Sequence, residues 1–246
     1  MLVREGPDRD ENMDRRLAAC LAAVAGAINA AVFYVAGFFS ANMTGNVSTL
    51  SDHIAIGEWL SASLYLGIVV AFIAGASIST LATNAGRRMN IHGIYAYSIL
   101  LEALLLGILG CADLWLMTST GRIPVLVLAL AFLMGFQNAV VTRISDARVR
   151  TTHISGMATD IGIEIALAFD AFRGEARATE PVHNWHKLRL HLYTVSSFMV
   201  GGVAGVISYR TIGAYLWIVA AVFLCVVSLF GIFRARNPGA EPNDIH

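Results

Sequence analysis

Six stretches of this chain, at about 17–39, 60–84, 91–117, 123–142, 190–209 and 212–233, are apolar for some twenty residues or more. An α-helix rises about 1.5 Å per residue, so such a length matches the ~30 Å hydrocarbon core of a bilayer. Inside lipid no water is present to satisfy backbone N–H and C=O groups, and a helix satisfies them within the segment. The six runs therefore predict an all-α, polytopic membrane protein of six transmembrane helices. Composition agrees. Of 246 residues, 57% are hydrophobic and 14% charged, against about 45–50% and 25% in soluble domains. Formal net charge is +0, and no nucleic-acid partner is expected. Cys20, Cys111 and Cys225 lie in or beside apolar runs without a C-x-x-C pair, so neither disulfide nor metal is expected from them. The first run is long enough to span and reads as an uncleaved span rather than a leader.

The charged residues set an orientation. Arg4, Arg9, Arg15 and Arg16 precede the first run, and Arg87 and Arg88 follow the second. Between the fourth and fifth runs lie Arg143, Arg148, Arg150, Arg173, Arg177, Lys187 and Arg189, and Arg234 and Arg236 follow the sixth. The intervening connections hold none, Arg122 and Arg210. Rich and poor segments alternate throughout, which predicts both termini in the cytoplasm of a bacterial cell, with the protein in the inner membrane. Membrane lipids are the expected surroundings. Homo-oligomers are compatible with the sequence.

Two segments fit neither a span nor a solvated loop: 40–58 (SANMTGNVSTLSDHIAIGE) and 151–169 (TTHISGMATDIGIEIALAF). Each is polar at its start and apolar after, as expected of a half-helix entering the protein or lying at the membrane surface. Their surroundings also repeat. Gly26-Ala-Ile-Asn-Ala resembles Gly135-Phe-Gln-Asn-Ala, Met43-Thr-Gly-Asn sits where Ile154-Ser-Gly-Met sits, and Phe72-Ile-Ala-Gly matches Phe198-Met-Val-Gly. The chain thus divides into a loose tail (1–14), a first three-span unit (15–117), a second (118–236) and a polar tail (237–246). Because three is odd, the second unit enters from the opposite side. The expectation is two inverted three-helix repeats, each with one re-entrant or interfacial half-helix, a plan known among secondary transporters.

Several residues within this frame suit binding of a small polar or ionic solute. Asn42, Thr44, Gly45 and Asn46 offer neutral donors and acceptors beside a residue that permits close backbone approach. A capping turn with Thr44 or Asn46 at the N-cap is the competing explanation. The second-half counterparts are Thr152, His153, Ser155 and Gly156. Asn29 and Asn138 occupy matched positions in spans one and four. They are expected either to meet solute or to hydrogen-bond to each other. For proton coupling the candidates are Glu102, an acid well inside a span, with Asp160, Glu164 and His53. His53 and Glu164 fall at related positions of the two units and could pair. Asp113 reads as interfacial. His183, His186 and His191 lack the spacing of a metal site, and no metal or cofactor is expected. Gly201-x-x-x-Gly205 and Gly75-x-x-x-Ser79 read as helix-packing faces. The basic run Arg143, Arg148, Arg150 reads as topology and headgroup contact, with an anionic vestibule as the alternative.

G-A-I-N-A (26–30) followed by S-A-N-M-T-G-N (40–46) resembles the YoaK family of bacterial membrane proteins, in which a V-S-N-M-T-G-N-like motif follows the first span. G-F-Q-N-A (135–139) and V-R-T-T-H-I-S-G-M-A-T-D (149–160) resemble that family's second signature, R-T-T-x-x-T-G-x-x-T-D. Ser155 stands where threonine is usual and keeps the hydroxyl. The resemblance covers about 15–235. It implies a bacterial inner-membrane protein of about six spans and brings no substrate with it. A secondary transporter or permease, not an enzyme, is the leading expectation. An intramembrane enzyme using His153, Asp160 and Glu164, or a structural or signalling protein, are the rivals. A cavity shared by 42–46 and 152–156 separates transport from both.

Overall fold

A computed structural model describes residue 2 and residues 11–119, 121–173 and 185–236. Residues 1, 3–10, 120, 174–184 and 237–246 lie outside it, and with them Arg4, Arg9, Arg177, His183 and most of the two expected tails. The described residues form eight helices: α1 (Glu11–Ala36), α2 (Met43–Ala55), α3 (Trp59–Arg88), α4 (Ile94–Trp115), α5 (Arg122–Ile144), α6 (Ile154–Arg173), α7 (Trp185–Ile212) and α8 (Tyr215–Arg236). Among them α1, α3, α4, α5, α7 and α8 are long and apolar enough to cross a membrane. The six expected spans are present and the architecture is all-helical. Helix α1 already begins at Glu11, inside the stretch read as a tail. The two irregular segments become α2 and α6, and α6 runs four residues past the expected end.

The outer surface is that of a protein solvated by lipid. Helix α3 leaves Leu60, Leu66, Val70, Ile73, Ile78 and Leu81 exposed, and α8 leaves Val219, Val222, Val226, Phe230 and Phe233 exposed. Apolar area on this scale would drive association in water. In a bilayer it costs nothing, and helices then associate through close packing rather than through burial.

Packing follows the glycines. Helix α1 lies against α7, α3 against α5 and α4 against α8, while α2 rests on α3 and α6 on α7. A Cβ on Gly26 would run into the Phe198 carbonyl of α7, and one on Gly201 or Gly205 would strike the Ala23 or Ala27 carbonyl of α1. At the other contact, a Cβ on Gly75 would strike the Phe132 carbonyl, and one on Gly135 the Phe72 carbonyl. Backbone meets backbone at both sites, which only glycine allows. The residue pairs correspond between the two contacts: Gly26 with Gly135, Phe198 with Phe72, and Gly201 with Gly75. The expected packing role of these faces is what the structure shows, with Ser79 buried beside Gly75 in α3.

Polar contacts gather the basic ends of the helices at one end of the bundle. Arg148 pairs with Asp14 at 3.3 Å, Arg143 donates to Asn84 at 2.9 Å, and Arg236 donates to Tyr97 at 2.8 Å. At the opposite end, two residues before the end of α4, Asp113 is buried within the protein. Arg122 grips its carboxylate through two hydrogen bonds, of 2.7 and 3.1 Å. Trp217 Nε1 donates to it at 3.0 Å, and Arg122 also reaches the Tyr209 hydroxyl at 3.2 Å. One buried acid thus ties α4, α5, α7 and α8 together. Its partner Arg122 lies nine residues along the chain, across the turn between α4 and α5.

Candidate functional site

The site is built by two linkers that turn back into the bundle. After α1, Gly37 takes a left-handed φ of 74° and the chain reverses. The Asn29 carboxamide oxygen then accepts the Ala41 backbone N–H at 2.9 Å and the Ser40 hydroxyl at 3.5 Å. Asn29 lies seven residues before the end of α1, so the linker descends roughly 10 Å along that helix. Asn42 caps α2, its side-chain oxygen accepting from Gly45 N at 3.1 Å. The N-cap is therefore Asn42, and not Thr44 or Asn46. Asn46 is buried and donates to the Phe39 carbonyl at 2.9 Å, holding the linker from below.

The second half does the same with different chemistry. The Asn138 oxygen accepts the Thr151 hydroxyl at 3.1 Å, and its amide donates to the Thr152 hydroxyl. Asn138 lies six residues before the end of α5, so this linker also descends, by roughly 9 Å. Asn29 and Asn138 thus each bind their own linker, and of the two expectations for them the bond to each other is not made. A loop at this depth must satisfy its polar groups, and an amide with both donor and acceptor does so. The two glycines have matching roles. Gly45 lies under the Asn42 side chain and Gly156 under the His153 ring, and a Cβ on either would collide with its neighbour.

The starts of α2 and α6 therefore come to one place. A cavity of about 640 Å³ is lined by Asn29, Asn42, Thr44 and Gly45 from the first half and by Asn138, Thr152, His153 and Ser155 from the second. Phe72 and Phe198 also line it. Each sits near the midpoint of its helix, α3 or α7, which sets the cavity at about half the depth of the bundle. Eight of the ten expected binding residues line it; Asn46 and Gly156 support the linkers instead. The Thr44 and Ser155 side chains are exposed to the cavity.

A second cavity of about 540 Å³ adjoins the first through Arg150 and His153, which line both. It opens toward the basic end, beside Asp14, Arg15, Arg148, Lys187 and Arg189. Asp160 also lines it, paired with Lys187 at 3.3 Å and His191 at 3.8 Å. Glu164 contacts Lys187 at 3.7 Å.

The remaining coupling candidates lie elsewhere. His53 pairs with Glu58 at 2.9 Å and stacks on Tyr65. His53 and Glu164 are thus held by residues of their own halves and not by each other. Glu102 is buried on α4, accepts from Gln137 at 3.0 Å, and lines neither cavity. Sequence reasoning missed Phe39, Phe72, Thr142 and Phe198 as cavity walls. The phenylalanines at 72 and 198 had been visible only as marks of the repeat. Arg150 had been visible only as one member of a basic run.

Comparison with known proteins places the chain. The family described as "Protein of unknown function (DUF1275)" matches residues 17–230. The UPF0700 transmembrane protein YoaK of Bacillus subtilis (strain 168) is 25% identical over 120 residues, which are 48% of this chain and 52% of that protein. The chain thus spans about half the length of the curated relative it matches. No solved structure matches.

Proposed function

The chain belongs to that DUF1275 family, and we propose that this multi-pass membrane protein is a small secondary transporter or permease whose solute site is the central cavity. One observation carries the proposal: the polar starts of α2 and α6, one from each half, wall a single cavity at mid-depth. The proposed activity is transport and not catalysis. It is set in a bacterial inner membrane with the basic end in the cytoplasm, in line with the charge alternation.

The matched glycine contacts and the matched Asn29 and Asn138 anchors support an inverted repeat of α1–α4 and α5–α8. In such a repeat, two similar halves facing opposite ways can exchange packings, one open to each side. The contrast between the two ends fits one of those packings. Toward the basic end the cavity continues into the vestibule at Arg150 and His153. In the first half, rings pack on one another beside the linker: Phe38 on Tyr65 at 5.1 Å between centroids, and Phe33 on Phe39 at 4.1 Å. We read this as a form open to the basic side and closed by aromatic side chains on the other. Asp160, which lines the vestibule, is the best placed of the four coupling candidates.

The test is a screen of labelled metabolites and ions in proteoliposomes of the purified full-length chain. Accumulation of a solute above that in protein-free liposomes is expected. Failure of every solute to enter, in a preparation shown to be folded, contradicts transport.

A further inference from the structure

The charge around the two cavities is predominantly positive among the described residues. Among the described residues the central cavity is lined by no Asp or Glu, and Arg150 is its one lining side chain of fixed charge. The vestibule that feeds it is lined by Arg15, Arg148, Arg150, Lys187 and Arg189 against Asp14 and Asp160. Three of these cations are already engaged, Arg148 with Asp14, Lys187 with Asp160, and Arg15 with Asn12 and the Tyr193 ring. Arg150 is exposed and has no hydrogen-bond or ion-pair partner among the described residues. A guanidinium carries five N–H donors in a planar fork suited to a carboxylate. The backbone N–H groups at the starts of α2 and α6, which line the same space, add positive potential to it. The remaining walls include the rings of Phe39, Phe72 and Phe198, which suit an apolar body rather than a bare inorganic ion.

We infer that the solute of this site is a small organic carboxylate, drawn in through the basic vestibule and held at Arg150. This rests on the transport reading for the site's purpose, but not for its charge preference. Arg150 joins the two cavities, so it meets an anion that enters from the basic end before that anion reaches Asn138 or Thr44. A path lined mainly by positive charge concentrates anions and disfavours cations.

Binding to the full-length chain in phosphatidylcholine nanodiscs tests this, with succinate and benzoate compared with their neutral isosteres succinamide and benzamide. The carboxylates are expected to raise the thermal denaturation midpoint and the amides to leave it unchanged. Arg150→Gln is expected to weaken carboxylate binding at least about tenfold, the loss of one charge-assisted contact, and Arg150→Lys to restore part of it. Arg189→Gln, at the vestibule, is expected to have a smaller effect. Amides binding as well as carboxylates, no binding of either carboxylate, or an unchanged Arg150→Gln overturns the inference. So does loss of carboxylate binding when phosphatidylglycerol replaces phosphatidylcholine, which would assign Arg150 to lipid headgroups. Uptake of the same probes in proteoliposomes separates the two proposals. Carboxylate binding without uptake leaves the anion site standing and removes transport. Uptake of neutral solutes that ignores Arg150→Gln does the reverse.

Discussion

Gly26→Ala and Gly135→Ala are each expected to destabilise the protein by about 3 kcal/mol or more, although only one methyl group is added. At both positions the new Cβ would meet a backbone carbonyl, that of Phe198 or Phe72, rather than a side chain that can turn away. Relief requires the helices to part. In lipid their attraction comes from close contact, so parting forfeits the packing along the whole interface. Gly162→Ala is the internal control. It lies in α6 with nothing within 4 Å of the added Cβ, and alanine in a helix interior is favoured over glycine by about 0.5–1 kcal/mol. Thermal denaturation in detergent and the monodisperse fraction check the three variants. Equal behaviour of all three would remove the close-contact account of α1–α7 and α3–α5 packing.

The second large effect is expected in the proposed transport. Thr44 and Ser155 occupy matched places in the first turns of α2 and α6, both lining the cavity. Neither hydroxyl has a hydrogen-bond partner among the described residues, so each is available to a solute. Thr44→Val keeps the shape and removes the oxygen; Ser155→Ala removes the oxygen alone. Each lost hydrogen bond is expected to lower uptake about tenfold, and the double variant about a hundredfold, since a tenfold change corresponds to about 1.4 kcal/mol. Stability is expected to move by less than about 0.5 kcal/mol, because both side chains are exposed. Initial uptake rates in proteoliposomes, with thermal denaturation alongside, check this. Unchanged uptake in the double variant would remove these hydroxyls from the site.

Much of this could be read from the residues because it depends on local properties. Apolar length marks a span whatever its neighbours, so six spans were legible. Small residues four apart mark a close helix face, so Gly201 and Gly205 were legible too. The repeat brought out Asn29 and Asn138 and the polar segments they anchor. Their bonds were not legible. Whether Asn29 meets Asn138 or Ala41 depends on how far the linker turns back, and no local pattern records that. The Asn42 cap was obscured by two further capping residues, Thr44 and Asn46, within four positions. His53 and Glu164 aligned in the repeat, but each finds a partner in its own half, Glu58 or Lys187. Arg150 shows the same limit from the other side. A sequence reports its charge but not that it faces both cavities while Arg148, two residues earlier, is held by Asp14.

The central claim is that the starts of α2 and α6 wall a water-filled cavity at mid-depth that is reached from the basic end. Cysteine accessibility tests it most directly. Thr44→Cys and Ser155→Cys are made in a chain lacking Cys20, Cys111 and Cys225, and Ile73→Cys serves as a comparison at similar depth on the lipid-facing side of α3. A membrane-impermeant thiol reagent is applied from the side that carries Arg150 and Lys187. The account predicts that the cysteines at 44 and 155 are modified and the one at 73 is not. Protection of both cavity positions, or equal labelling of all three, would contradict it.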